Sequence, residues 1–165
     1  MFTIVALYHF TRFENHFDLR EPLQEKCNTL GIRGSLLLAT EGINGTIAGT
    51  SERIEKILCY IKNMPGCADL EYKTSVSKLP PFPRMKVKLK KEIVTMGQPN
   101  IDPKARVGHY IDPSDWNTLV NDPNVVVIDT RNEYEVDIGT FKGAINPHTS
   151  SFREFPTWWE KNKEK

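Results

Sequence analysis

The sequence predicts an α+β unit followed by the first part of an α/β unit. Strand and helix patterns alternate in the order β-α-β-β-α-β over residues 1–96. A segment with one glycine and two prolines follows at 97–106, and a run of β-branched apolar residues at 125–128 leads into a polar loop. The 165 residues are enough for one ordinary domain or two small ones. We therefore divide the chain into residues 1–96, a linker at 97–106 and a second unit at 107–165.

The first predicted elements are a strand at 2–10 and a helix after it. Apolar residues occupy both faces of the strand, which indicates a central strand covered on both sides, or covered on one and paired at both edges. Leu23 and Cys27 share one face of the helix, and Gly31 is a natural helix end. Pro22 is expected to be tolerated only in the first turn of this helix.

The next elements complete a sandwich of strands and helices. A strand at 33–40 is predicted to turn at 41–45 into a short strand at 45–49, because glycine and asparagine accept positive φ. A helix and a further strand at 70–75 follow, and this order is typical of a ferredoxin-like split βαβ sandwich. The apolar stripe of that helix consists of Ile54, Ile57, Leu58 and Ile61.

The last predicted strand of the first unit, at 85–94, is strongly basic. Its apolar residues alternate with lysines, so one face is expected to be buried and the other positively charged. From Lys78 to Arg106 there are eight Lys or Arg and two Asp or Glu, a net charge of +6 within a chain whose total is +1. The candidate substrate-binding residues of this segment are Arg84, Lys86, Lys88, Lys90 and Lys91.

Two compatible explanations account for this row of lysines. Lysines neutralise RNA phosphates and release counterions, which supplies affinity that does not depend on base sequence. Lysines on an edge strand also discourage pairing with another sheet. The pattern therefore indicates a candidate nucleic-acid surface and leaves the edge-strand explanation open.

The second unit is predicted to begin with a helix capped by Asp112. The run Val125–Ile128 is predicted to be a buried parallel strand. Asp129, Thr130 and Arg131 follow at its carboxyl end, where α/β folds place ligands. Arg131 either faces an anionic ligand there or makes an internal ion pair. Thr130 and Arg131 are therefore candidate substrate-binding residues.

Composition argues against several classes of protein. A hydrophobic content of 39% and a charged content of 26% are those of a globular protein. No stretch approaches the roughly 18 apolar residues that a membrane span requires. The four histidines lack metal-ligand spacing, so we expect no metal site. The three cysteines, Cys27, Cys59 and Cys67, show no C-x-x-C spacing. Cys27 and Cys59 fall on the apolar stripes of predicted helices, so we predict reduced core thiols in a reducing cytoplasm.

Three blocks of sequence together resemble one family, the rhodanese-domain tRNA uridine hydroxylases. The blocks are EGINGTIAG at 41–49, KVKLKKEIV at 86–94, and a signature with Asp129, Arg131 and the run GAINP at 143–147. The resemblance implies a ferredoxin-like domain followed by a rhodanese domain. It also implies oxygen-dependent hydroxylation of the wobble uridine of tRNA at C5, with tRNA as partner, molecular oxygen as co-substrate and no bound cofactor.

The resemblance further implies a nucleophilic cysteine on a loop beyond the Asp129 signature. No cysteine follows Cys67, so we expect a rhodanese unit that stops before its cysteine loop, and we assign no catalytic residue. This chain alone is expected to be inactive. The strand at 125–128 is expected to lack neighbours, which favours self-association through the incomplete unit.

Other functions remain open at this point. One is a non-catalytic RNA-binding or scaffold module. A rhodanese-type sulfurtransferase is disfavoured because the second unit has no cysteine. An acylphosphatase, with Arg12 and Asn44 as phosphate binder and water-orienting residue, is disfavoured because no glycine-rich phosphate loop lies between Phe10 and Glu14.

Overall fold

The chain forms two compact units, Met1–Val94 and Thr95–Lys165. The first unit is a mixed α/β structure with a five-stranded sheet. Most of the predicted linker at 97–106 lies outside the residues that the structure describes. The computed structural model describes residues 1–94, 96–98 and 108–164.

The first unit has the predicted order β-α-β-β-α-β, followed by one further strand. The helix with the predicted isoleucine and leucine stripe buries all four of those side chains. The elements are β1 (Phe2–Phe10), α1 (His16–Thr29), β2 (Arg33–Ala39), β3 (Gly42–Gly49), α2 (Ser51–Lys62), β4 (Tyr72–Ser77) and β5 (Met85–Leu89).

The strand order in the sheet is β4-β1-β3-β2-β5. Strand β1 pairs antiparallel with both β3 and β4, which confirms the prediction of a central strand paired at both edges. Strand β2 pairs antiparallel with β3 and parallel with β5. The parallel register runs from Gly34 opposite Met85 to Leu38 opposite Leu89. Strand β5 therefore forms one edge of the sheet.

One apolar core lies between the two helices and one face of the sheet. Leu23 and Cys27 of α1 are fully buried there, as predicted. Burial of a leucine or isoleucine side chain contributes about 1.5–3 kcal/mol. The largest fully buried side chains include Leu7, Phe13, Leu23, Leu36, Leu38, Ile43, Ile47, Ile57 and Ile61.

The prediction that Pro22 must lie in the first turn of its helix is wrong. Pro22 lies inside α1, where it has no N–H to donate to the carbonyl of Asp18. A proline in a helix interior costs about 3 kcal/mol, and burial of Leu23 and Cys27 against the sheet offsets that cost. The helix ends at Thr29 with Leu30 as its C-cap, and Gly31 follows as the predicted stop, with a φ of +62° in the left-handed region.

The hairpin turn is shorter than predicted. Strand β3 begins at Gly42, so the turn consists of Thr40 and Glu41 alone. Gly42 has a φ of +144°, and a Cβ at this position would lie 2.1 Å from the carbonyl oxygen of His9. Glycine is therefore required here by the close approach of two strands rather than by the turn.

The last strand is also shorter than predicted, because β5 ends at Leu89 rather than at residue 94. Beyond it, the backbone N–H of Ile93 donates to Glu41 Oε1 at 2.6 Å, and Asn44 Nδ2 donates to the Ile93 carbonyl at 2.8 Å. Ile93 is 2% exposed, so these bonds satisfy both of its backbone groups without a strand partner. We call Glu41, Asn44 and Ile93 the Ile93 clamp.

Helix α1 covers the outer edge of β5 at Val87. Gln24 Oε1 accepts a hydrogen bond from the Val87 N–H at 2.8 Å, and Arg20 Nε donates to the Val87 carbonyl at 3.3 Å. Both outward-facing backbone groups of Val87 are therefore occupied. An open strand edge can pair with another chain. The contacts from α1 prevent such pairing at the middle of β5.

The second unit contains short helices and one 3₁₀ turn among its described residues. The predicted strand at 125–128 is wrong: the described part of the unit has only an isolated parallel bridge between Ile128 and Ile145. A parallel strand requires a ladder of neighbours, and Val126 is 66% exposed instead. The elements are α3 (Trp116–Val120), α4 (Glu133–Ile138), the 3₁₀ turn Phe152–Glu154 and α5 (Phe155–Asn162).

The predicted helix cap at Asp112 is also wrong. Helix α3 begins at Trp116, and Asp112 Oδ1 instead accepts hydrogen bonds from the Ser114 N–H at 2.9 Å and the Ser114 hydroxyl at 2.7 Å. Aspartate commonly forms such a local turn through its own side chain. The residue therefore precedes the helix rather than capping it.

Asp129 holds together the loop that follows the bridge. Arg131 donates from Nε to Oδ1 at 2.9 Å and from Nη2 to Oδ2 at 2.6 Å, and the Thr140 hydroxyl donates to Oδ2 at 2.7 Å. Arg131 Nη2 also donates to the Gly139 carbonyl at 2.7 Å. The bonds from Arg131 and Thr140 hold the pKa of Asp129 well below its usual range.

Removal of the Ile93 clamp should loosen the chain after β5. Glu41→Ala leaves the buried Ile93 N–H without an acceptor, which costs about 1–3 kcal/mol. We expect faster hydrogen exchange of the Ile93 amide, measured by NMR. Glu41→Gln retains an acceptor oxygen and serves as the matched control, with a smaller effect. Equal exchange rates in wild type and Glu41→Ala would show that the clamp contributes nothing.

The Asp129 loop should lose stability in acid. Because the folded pKa is lowered, the contribution is complete above the ordinary aspartate pKa of about 4 and is lost as the pH falls below it. We expect the Gly139 and Thr140 amides to exchange faster at about pH 2 than at about pH 5, relative to intrinsic rates. Asp129→Asn should abolish this difference and Asp137→Asn, an exposed acid, should retain it. Identical pH dependence in both variants would contradict the role of Asp129.

Candidate nucleic-acid interface

Strand β5 and its flanking residues place the predicted basic side chains along one edge of the sheet. Val87 is 3% exposed and joins the core, whereas Lys88 and Lys90 are exposed and Lys86 is half-buried. Alternate residues of a strand lie about 7 Å apart on one face. In the part of the chain that the structure describes, no ion pair involves Arg84, Lys86, Lys88, Lys90 or Lys91.

Strand β5 is an edge strand, so the edge-strand prediction is confirmed for Lys86 and Lys88, whereas Lys90 and Lys91 follow the end of the strand at Leu89. The edge is already closed at Val87, however, because Gln24 and Arg20 of α1 occupy its backbone groups. Protection against edge pairing therefore accounts for only part of the charge. Accessible lysine side chains without an ion-pair partner among the described residues are also what contact with a phosphate backbone requires.

Arg84 lies in an open groove of about 460 Å³ at the end of the sheet where β2 and β5 begin. Two further arginines, Arg33 and Arg53, line the same groove, and neither is among the residues predicted from the sequence. Arg33 starts one strand and Arg84 precedes another. Only the parallel pairing of those strands brings the two positions together.

Thr130 and Arg131 lie in the second unit, in the loop that begins at Asp129. Of the two roles considered for Arg131, the structure contains the internal ion pair, with Nη2 at 2.6 Å from Asp129 Oδ2. The hydrogen bonds that Arg131 donates to the Asp129 carboxylate raise the pKa of Arg131. Its side chain remains 47% exposed, and Thr130 is half-buried. Their role in substrate binding stays a prediction.

The cysteines differ in their surroundings. Cys27 and Cys67 are buried, whereas Cys59 is exposed, which corrects the expectation that Cys59 is a core residue. Burial raises the pKa of the Cys27 thiol to about 12. Among the described residues, no three His, Cys, Asp or Glu side chains are grouped so that they could hold a metal. No described helix has the length and apolar character needed to cross a membrane.

Asn44 is engaged within the first unit. Its amide donates to the Ile93 carbonyl, so the water-orienting role that an acylphosphatase would require of it competes with the Ile93 clamp. Arg12 follows β1 and is exposed. These positions give no support to acylphosphatase chemistry.

Comparison with known proteins finds one matching family model and a set of relatives about twice as long as this chain. The model of the UPF0176 acylphosphatase like domain matches residues 2–93. The tRNA uridine(34) hydroxylase of Gluconobacter oxydans is 61% identical over 98% of this chain and 51% of its own length. The protein of the same name from Ruegeria pomeroyi is 61% identical over 100% of this chain and 55% of its own. The protein of the same name from Roseobacter denitrificans is 57% identical over 99% of this chain and 55% of its own length.

A solved acylphosphatase from Coxiella burnetii is 12% identical over 53% of this chain and 90% of its own, with a TM-score of 0.39, a likeness too weak to bear on function. This chain spans about half the length of the curated relatives it matches. The resemblance to tRNA uridine hydroxylases is confirmed by those relatives. With the domain model matched over residues 2–93, the chain belongs to the UPF0176 family.

Proposed function

We propose that this chain is the RNA-facing part of an enzyme that hydroxylates the wobble uridine of tRNA at C5. The names of the relatives, at up to 61% identity over nearly the whole chain, support uridine 34 of tRNA as the target. The structural observation that carries the proposal is the row of basic side chains on and beside β5, none of which forms an ion pair with another described residue. A tRNA is a dense polyanion, and each phosphate neutralised by lysine or arginine releases counterions.

The basic edge supplies affinity rather than chemistry. Lysine contacts phosphates as a point charge and carries no information about base sequence. The edge therefore fits a role in holding many tRNAs in a common orientation, while base recognition takes place elsewhere in the protein. An enzyme that modifies one nucleotide needs both kinds of contact.

The nucleophile is proposed to lie outside this chain. Cys27 has a pKa of about 12, so its thiol stays protonated near neutral pH and does not act as a nucleophile. The longer relatives have room for a rhodanese-type domain that carries the cysteine, and the Asp129 loop would belong to that domain. Molecular oxygen is the proposed co-substrate, no bound cofactor is invoked, and a tRNA substrate fits a cytoplasmic location.

Self-association through the second unit is part of the same proposal. Its described residues include apolar side chains with high exposure, such as Ile138 at 87% and Val126 at 66%. Such side chains favour association because burying them removes apolar area from water. In a longer protein, the remaining residues would cover the same side chains.

Charge reversal on β5 should weaken tRNA binding for every tRNA to the same extent. For the variant Lys86→Glu/Lys88→Glu/Lys90→Glu we expect a lower affinity and a salt slope reduced by about 0.7–0.9 for each phosphate that is no longer neutralised. Fluorescence anisotropy at several salt concentrations measures both quantities. Lys73→Glu, on β4 at the opposite edge, is the control. Wild-type affinity and slope in the triple variant would remove β5 from the RNA surface.

The activity can be tested in a chimera. This chain would replace the aligned residues of the Gluconobacter oxydans relative in a strain that lacks that protein. We expect uridine 34 to gain one oxygen atom, detected by mass spectrometry of tRNA nucleosides. Cys59→Ser in the same chimera should leave the modification unchanged, because the nucleophile is placed outside this chain. A folded chimera that yields no hydroxylated uridine would contradict the proposal.

A further inference from the structure

Three arginines from separate elements of the first unit meet in one groove. Arg33 begins β2, Arg84 directly precedes β5, and Arg53 lies in the first turn of α2. The groove has a volume of about 460 Å³. Its walls also include Asn28 and apolar residues such as Phe2, Pro80 and Met85.

The fold brings these side chains together through two backbone features. The parallel register places Gly34 opposite Met85, and the Gly34 N–H donates to the Arg84 carbonyl at 3.0 Å, so Arg33 and Arg84 are neighbours. Arg53 reaches the groove across Gly31. A Cβ on Gly31 would lie 2.8 Å from Arg53 Nη1, so the glycine leaves the space that this guanidinium occupies.

The positive charge of the three guanidinium groups is offset only weakly. Glu52, next to Arg53 in the chain, forms an ion pair with Lys56, and among the causes that lower the Glu52 pKa the hydrogen bond and charge of Lys56 come first and the charge of Arg53 last. None of its lining residues is an aspartate or glutamate. Within residues 1–94, no ion pair or side-chain hydrogen bond involves the guanidinium groups of Arg33, Arg53 or Arg84. Like charges in one groove repel each other. An arrangement of this kind is stabilised when an anion enters it.

Phosphate is the anion that suits this arrangement. A guanidinium group presents a planar fork of N–H donors that matches two phosphate oxygens. The amino end of α2 adds the positive end of a helix dipole beside Arg53. The groove is also continuous with β5, because Arg84 is separated from Lys86 by one residue. This continuity favours a polymer backbone over a small isolated anion.

We propose that Arg33, Arg53 and Arg84 form a binding site for a backbone phosphate of tRNA. This inference rests on the proposed function and makes it more specific, since it assigns a directional contact at the end of the lysine row. Lysines along β5 would hold successive phosphates loosely. The arginine groove would fix one of them and so set the register of the RNA on the sheet edge.

The test compares tRNA binding by this chain and by Arg33→Gln/Arg53→Gln/Arg84→Gln. We expect at least a tenfold loss of affinity and a salt slope smaller by about 0.7–0.9 for each phosphate that the variant no longer neutralises. Arg84→Lys keeps the charge but loses the fork, so its slope should stay near that of wild type while its affinity falls. Lys73→Gln, on the opposite edge strand, is the control. Far-UV circular dichroism confirms that each variant is folded.

Two results with the triple variant would overturn the site, and a third result concerns the wild-type chain. One is wild-type affinity and salt slope in the folded triple variant. The other is binding of inorganic phosphate that the triple substitution abolishes while tRNA binding stays unchanged, which would assign the groove to a small phosphate ligand. Absence of tRNA binding by the wild-type chain would also count against it.

The chimera separates this inference from the proposed function. If the chimera hydroxylates uridine normally and the triple variant keeps normal tRNA affinity, the phosphate-binding role of the groove is overturned and the proposed function is not. Loss of tRNA affinity in the triple variant, alongside a wild-type chimera that does not hydroxylate uridine, would leave the groove standing as an RNA site and overturn the enzymatic proposal.

Discussion

Parallel pairing between β2 and β5 organises the basic surface of this chain. The register from Gly34 opposite Met85 to Leu38 opposite Leu89 turns the apolar residues of β5 into the core and leaves its lysines outside. A shift of one residue would exchange these two faces and bury the lysines. The same register sets Arg33 beside Arg84. One set of backbone hydrogen bonds therefore determines both the lysine row and the arginine groove.

Two sets of side-chain hydrogen bonds hold β5 in that position. Helix α1 uses Gln24 and Arg20 to bind the outward backbone groups of Val87, and the Ile93 clamp fastens the chain just beyond the strand. An edge strand held only on one side frays easily. The α1 contacts give the strand a fixed partner on its outer side and the clamp fixes the chain that follows it, so the lysines extend from a well-defined backbone.

The sequence predicts the parts of this fold that rest on local patterns. The apolar stripe of α2 and the alternation along β5 follow helical and strand spacing, and both are observed. The strand at 125–128 fails because β-branched residues form a strand only where neighbours supply a ladder, and Ile128 has a single bridge to Ile145. Pro22 stays inside α1 because tertiary packing outweighs its local cost.

The candidate site likewise combines features that a local pattern reveals with features that depend on tertiary structure. The lysine row is visible as a charge pattern, whereas Arg33 and Arg53 join Arg84 only through a parallel pairing and a helix placement that no local pattern reveals. From the sequence alone, Glu41 and Asn44 are explained by their place in a turn, and nothing indicates that they bind Ile93. Their bonds to Ile93 span about fifty residues of sequence and therefore leave no local signal.

If tRNA lies along the β5 edge of the sheet, as we propose, it shields the backbone of that edge from solvent. Hydrogen exchange of this chain, measured by mass spectrometry with and without tRNA, tests this proposal most directly. On addition of tRNA we expect slower exchange in peptides that cover residues 31–35, 50–54 and 84–91, and unchanged exchange in residues 72–77 of the opposite edge. Protection confined to 72–77 or to the second unit would contradict the proposal.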